Sequence, residues 1–251
     1  MHRLPNKGDI PDVLRKFCRN NPECRDWNSF RDNQHESYIA LKKAIFAQQS
    51  YLCAYCECNI DSTRPDEQRI EHFHPKSDTA SSHNWAFDWN NLLGVCLGGT
   101  KQESDISPHC DAAKEKDVNA REGRILNPLT MPESCVFELD RKNGYLIPNE
   151  SFCRTQSIPD NPFHTTEELI KNTIDVLNLN CTALANIRKK IILEYDKKRH
   201  FLQSSHKTKE SVRTTIARQW FKKTLQFYTT RRILLGRYAE EIIREQRESG
   251  N

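Results

Sequence analysis

From Gln34 to Ser50 the apolar residues Tyr38, Leu41, Ile45 and Phe46 return at helical spacing, so QHESYIALKKAIFAQQS predicts an amphipathic helix. Ahead of it, residues 1–33 carry Pro5, Pro11 and Pro22 among several Asp and Asn. That mixture predicts an irregular or short-helical arm, anchored by Trp27 and Phe30. After it, residues 51–60 and 68–74 read as short strands joined by the turn-rich DSTRPDEQ. SDTASSHN predicts a loop, and WAFDWNNLLGVC returns to apolar density. LGGTKQESDISPH predicts a second loop, CDAAKEKD a short helix beginning near Cys110, and CVFELDRKNGYLIP a hairpin turning at Asn143-Gly144.

Beyond Pro162 the period changes. Thr165 and Glu168 have capping-box spacing, and Ile170, Ile174 and Leu177, then Leu184, Ile187 and Ile191, keep a helical register. Breaks near Asn178–Asn180, at SSHKTK and near Gly236 divide this region into about three or four helices. The expected fold class is α+β, with an N-terminal arm and helix over 1–50, a mixed core over 51–160 and a helical region over 161–251.

Composition changes this picture in two places. The 251 residues are only 36% hydrophobic, yet four Trp, eleven Phe and seven Tyr supply enough bulk for folded units with a very polar exterior. Charge is uneven: residues 181–251 hold 17 Lys/Arg against 7 Asp/Glu, while residues 1–180 hold 21 against 27, so a tail of +10 follows a remainder of −6. Such a tail suits a polyanion or an acidic protein partner, although a solvated helix face gives the same pattern. No window approaches the roughly 20 apolar residues of a membrane span, and the start has no apolar stretch of signal-peptide length. A cytoplasmic location is expected. In that reducing compartment the ten cysteines point to metal ligands where their spacing permits, not to disulfides. Cys18, Cys24, Cys135, Cys153 and Cys181 are read as small buried hydrophobes.

The chemistry concentrates in residues 51–77, YLCAYCECNIDSTRPDEQRIEHFHPKS. Cys53-x-x-Cys56 turns two thiolates toward one ion, and Cys96 and Cys110 offer a distant second pair, separated by thirteen residues. That wide split leaves Cys58 and His109 as alternatives at this stage. Glu71 and His72 follow Ile70 on an expected strand, where consecutive side chains point to opposite faces, so one centre can use both only where the strand end twists or bulges. Pro75 marks such an end. A histidine held there by a backbone carbonyl is able to take a proton from water, and a carboxylate to hold a hard divalent cation.

The ordered series CxxC, Glu71-His72, Asn91 before Leu92, and Cys110-Asp111 with Lys114 downstream resembles the HNH endonucleases. More narrowly, CAYCE, IEHFHPKS, WNNL, HCDAAK and ILNPL resemble the HNH component of Septu-type antiphage systems, also found with some retrons, which works with an ABC-type ATPase. The resemblance covers about residues 45–130. It implies a zinc-stapled ββα-metal core that hydrolyses DNA or RNA, with structural Zn²⁺ and catalytic Mg²⁺ or Mn²⁺. Carried onto these positions, His72 is the general base, Glu71 and Asp111 are ligands of the catalytic metal, and Asn91 bonds backbone across the loop to keep His72 aimed. Glu115 reads as solvent-facing. The rival reading is a zinc-stapled nucleic-acid-binding or adaptor module whose Glu71-His72 pair is inert.

Overall fold

The computed structural model describes residues 1–78, 82–100, 107–114, 123–204, 208–222 and 224–249. The arm contains two short helices, α1 (Asp12–Asn20) and α2 (Trp27–Asn33), and the predicted amphipathic helix follows as α3 (His35–Gln48). Asp26 starts α2 by accepting from the amides of Asn28 and Ser29, which satisfies two of the donors a helix leaves unpaired at its N-terminus. Leu14, Trp27, Phe30, Leu41 and Ile45 bury together with Ile70, Ala86, Phe87, Trp89 and Leu92. The arm is thereby packed on one face of a small sheet.

That sheet pairs β1 (Arg69–His72) with β2 (Leu92–Val95) antiparallel, placing Glu71 opposite Leu93 and His72 opposite Leu92. Because side chains alternate along a strand, Ile70 and Leu92 join the N-terminal cluster while Leu93 and Val95 enter the main core. Gly94 is needed for the approach of α3: a Cβ there would stand 2.9 Å from Phe46 Cε1.

The strand expected over 51–60 is instead a tight turn with one bridge, Leu52 to Asn59. The Cys53 amide donates to the Cys58 carbonyl and the Glu57 amide to the Cys53 carbonyl. A CxxC pair converges only where the chain reverses, and that requirement overrides the strand-like composition.

A short helix, α4 (Asp111–Lys114), follows Cys110. The predicted hairpin forms as β3 (Phe137–Asp140) and β4 (Tyr145–Pro148), with Gly144 at φ 79° in its turn. Then come α5 (Glu150–Thr155), α6 (Thr166–Val176), α7 (Thr182–Gln203), α8 (Lys209–Trp220), α9 (Tyr228–Leu235) and α10 (Arg237–Glu248). Thr165 and Glu168 close the expected capping box, and Gly236 separates α9 from α10. Beyond Pro162 the described residues form five helices where the sequence predicts about three or four, because the chain also breaks between Trp220 and Tyr228. No Gly or Pro lies in that break. Phe227 takes φ 54° there and its amide donates to the Glu57 carbonyl, so the cysteine turn is bonded at the residue that starts α9.

The main core runs from the cysteine turn through β2 and the second hairpin into α6–α10. Glu57 ties its ends together, accepting from the Thr229 amide at 2.9 Å, the Thr229 hydroxyl at 2.6 Å and His2 Nδ1 at 2.6 Å. Burial opposes its charge, but the Met1 ammonium at 3.3 Å and these donors win, holding the carboxyl at about 2. A folded value below the ordinary 4.5 stabilises the protein fully above pH 4.5, and the contribution is lost as pH falls toward 2. Thermal melts are expected to show an acid limb of about 3 kcal/mol across that window. Glu57→Gln should remove the limb, and a limb unchanged in that variant would contradict the assignment.

Candidate functional site

Four cysteines from three segments meet beside the sheet. Cys53 and Cys56 come from the turn, Cys96 follows β2 and Cys110 precedes α4. All four sulfurs lie within 4.8 Å of one another, with Cys53 to Cys110 at 3.9 Å and Cys56 to Cys96 at 3.8 Å. Thiolates about 2.3 Å from the centre of a tetrahedron stand about 3.8 Å apart, so the donor set fits a bound metal ion. The same separations are far too long for a disulfide, and all ten cysteines are free thiols. Neither alternative ligand belongs to the cluster. His109 points Nε2 at Cys96 Sγ from 3.9 Å, and Cys58 contributes a backbone carbonyl to the turn. Burial disfavours charge on every one of these sulfurs, but hydrogen bonds from Cys110, Cys56 and Cys96 still bring Cys53 well below the ordinary thiol range.

Cys110 sits at φ 57° with its amide bonded to the Leu177 carbonyl at 2.8 Å. The next residue is Asp111, so the backbone turn that aims a sulfur at the cluster also aims a carboxylate at β1. There Glu71 Oε1 accepts from Lys114 Nζ at 2.5 Å and from the Tyr55 hydroxyl at 3.4 Å. Arg69 shares the Glu71 face of the strand and donates from Nη1 to Asp111 Oδ2 at 3.0 Å. Asp111 Oδ1 is buried with no hydrogen-bond partner. Burial, followed by the adjoining Asp111 carboxylate, raises Glu71 to about 8 against the pull of Lys114. Two buried carboxylates in reach of each other, one with an orphaned oxygen, fit a hard divalent cation.

His72 leaves the other face of β1. Its ring stands edge-on to Trp27, with centroids 4.5 Å apart, and Nε2 lies 3.0 Å from the Ala86 carbonyl. A carbonyl only accepts, so Nε2 carries the hydrogen and Nδ1 keeps the basic lone pair. Burial lowers its pKa to about 4, which leaves the imidazole neutral near pH 7. Lys114 reaches across the strand end, donating to the carbonyls of His72 at 3.4 Å and Phe73 at 3.0 Å as well as to Glu71. Asn91 braces the loop beyond: its amide donates to the His74 carbonyl at 3.0 Å and the Trp85 carbonyl at 2.8 Å, and accepts from the His74 amide at 2.7 Å.

No protein-family profile matches the chain. A protein of Escherichia coli described as "Retron Ec83 putative HNH endonuclease" is 35% identical over 246 residues, covering 92% of this chain and 93% of that relative. The chain belongs to the HNH endonuclease family.

Of the residues that the sequence singles out, by cysteine spacing or by the HNH resemblance, Cys53, Cys56, Cys96 and Cys110 form one cluster, and Glu71, Asp111 and Lys114 form another. His72 is set on the opposite strand face from Glu71, and the two sites meet at the strand end through Lys114. Asn91 bonds backbone across the loop, at the residue two beyond His72 and at the residue before Ala86. Glu115 lies outside the described residues. The sequence reading passed over Arg69, although its two-residue spacing from Glu71 was a legible signal. It also passed over Tyr55 and Ala86 and read Trp27 only as an anchor of the arm, because their contacts at the site are tertiary and leave no local mark. Among the described residues no helix is long and apolar enough to cross a membrane.

Proposed function

We propose that this HNH family member hydrolyses phosphodiester bonds of nucleic acid in a reaction that needs a divalent metal. The observation that supports it most is the convergence of the Glu71 and Asp111 carboxylates, one with an orphaned oxygen, at the strand end that also carries His72 in a fixed tautomer. In this reading residues 51–160 are a ββα-metal core made of β1, β2 and α4, stapled by zinc on Cys53, Cys56, Cys96 and Cys110. Glu71 and Asp111 hold Mg²⁺ or Mn²⁺, which when bound stabilises charge on the phosphate and the leaving oxygen. His72 Nδ1 accepts the proton of the attacking water while the Ala86 carbonyl holds the Nε2 hydrogen in place. Asn91 keeps the loop that presents that carbonyl closed on His74 and Trp85. Arg69 pairs with Asp111 and Lys114 with Glu71, so a cation stands beside each carboxylate.

The test is cleavage of labelled DNA and RNA by the purified protein, alone and with an ATPase partner, in Mg²⁺ or Mn²⁺ and after EDTA. Binding without cleavage in both preparations would instead favour the zinc-stapled adaptor. The retron label of the relative and the likeness to Septu components support a role in antiphage defence beside an ABC-type ATPase, in the cytoplasm.

Residues 161–251 serve in this reading as a docking region. On α7, Lys197 is exposed and Lys198 and Arg199 are half-buried. Replacing the three with Gln is expected to make the slope of log affinity against log salt shallower by about two to three, since fewer counterions are released on binding. Leu193 is 60% exposed and Phe201 76% exposed on the same helix, which suits contact with a protein. An unchanged slope with lost ATPase binding would therefore assign the surface to that partner.

A further inference from the structure

The loop between β1 and β2 carries an aromatic group that hydrolysis as described leaves unused. Trp85 is half-buried and belongs to neither hydrophobic cluster, whereas Trp27, Phe87 and Trp89 are all core residues. Its neighbours are imidazoles. His74 stacks on the indole with centroids 3.9 Å apart and planes inclined by 24°, and His83 stands at 63° with centroids 4.3 Å apart. Carboxylates orient both rings: His74 Nε2 is 2.7 Å from Asp78 and His83 Nε2 is 2.8 Å from Asp88.

The base of this stack is rigid, because the Asn91 amide bonds the backbone of both His74 and Trp85. It is also adjacent to the histidine site, since the residue after Trp85 supplies the carbonyl that holds His72 Nε2. Cations frame it. Arg25 is exposed and fastened to the loop through the carbonyls of Ser82 at 2.8 Å and His83 at 3.0 Å, and Lys76 is exposed two residues beyond His74.

An indole stacked on one imidazole and touched by a second, exposed one, with cations nearby, is the chemistry that binds an unstacked nucleobase and its flanking phosphates once the exposed ring gives way. A base inside a duplex has both faces covered by its neighbours and offers nothing to such a ring. Resting on the phosphodiesterase reading, we propose that Trp85, supported by His74, is a stacking platform for an unpaired nucleobase next to the scissile phosphate. The base takes the position of the half-exposed His83 against the indole, with Arg25 and Lys76 on the adjoining phosphates. The preferred substrate is then single-stranded, or splayed at the cleavage point.

Binding separates this from a purely structural Trp85. In the full-length His72→Ala chain, which keeps substrates intact, anisotropy compares labelled oligothymidine and oligouridine strands with a strand of abasic sugar–phosphate spacers of equal length. The base-bearing strands are expected to bind about tenfold more tightly than the abasic one. Adding Trp85→Ala should erase that difference by weakening the base-bearing strands alone, and adding Trp85→Phe should keep most of it. Equal losses on all strands would reduce Trp85 to a loop brace and overturn the platform, as would a base preference that survives Trp85→Ala. Failure to bind any strand would overturn the nuclease reading together with the platform.

Discussion

Replacing Cys53 or Cys110 with serine is expected to strip the protein of its zinc and unfold the core. The purified chain should carry about one tightly held zinc, as a closed four-thiolate site does. Structural zinc contributes roughly 10–16 kcal/mol to folding in small metal-stapled units, comparable with the whole stability of an ordinary domain. Here the four sulfurs join three segments, the CxxC turn, the end of β2 and the start of α4, which are otherwise tied by the backbone bonds of Ala54 to Gly94 and of His109 to Gly98 and by the main core. Loss of the ion should also disarm the carboxylate site, because Asp111 follows Cys110 directly and Tyr55, within the CxxC turn, touches Glu71. Metal analysis with circular dichroism melts reads the effect. Cys58→Ser, which removes a thiol outside the cluster, should retain zinc. A folded wild-type sample without zinc would defeat the proposal.

His72→Ala is expected to slow cleavage by about 10²- to 10⁴-fold, the range for loss of a positioned proton acceptor. Zinc content, melting temperature and nucleic-acid affinity should stay near wild type, and single-turnover kinetics isolates the chemical step. His74→Ala should cost far less in that step. The two histidines occupy different surroundings: His72 packs on Trp27 with Nε2 on a backbone carbonyl, while His74 stacks on Trp85 and pairs with Asp78. The His74 defect should therefore appear in KM, through the stacked platform. Asp111→Ala should also abolish turnover, but its defect should ease as Mg²⁺ or Mn²⁺ is raised, because a lost ligand weakens binding of the metal without removing the base. Equal and full activity in the His72 and His74 variants would leave this strand end as an ordinary polar surface beside a zinc staple.

How much of this was legible follows from how local each signal is. The helical period of residues 34–50, the turn at Asn143-Gly144, the Thr165–Glu168 capping box and the break at Gly236 each depend on a few neighbouring residues, and all appear in the structure. The CxxC pair and the Glu71-His72 dipeptide were legible for the same reason, as was the order of motifs that marks the HNH family. Alternation along a strand also anticipated that Glu71 and His72 would face opposite ways, as they do.

Tertiary structure decided the rest, because those features join groups far apart in the chain. Choosing Cys96 and Cys110 over Cys58 and His109 required β2 and α4 to arrive at the CxxC turn. The start of α9 at Phe227 meets the Glu57 carbonyl, and the tautomer of His72 depends on the carbonyl of Ala86. The orphaned oxygen of Asp111 belongs to a buried carboxylate that Arg69, from β1, satisfies on one side alone. Residue spacing fixes which groups can point the same way, and burial then determines which of them meet, which are desolvated and which are left needing a cation.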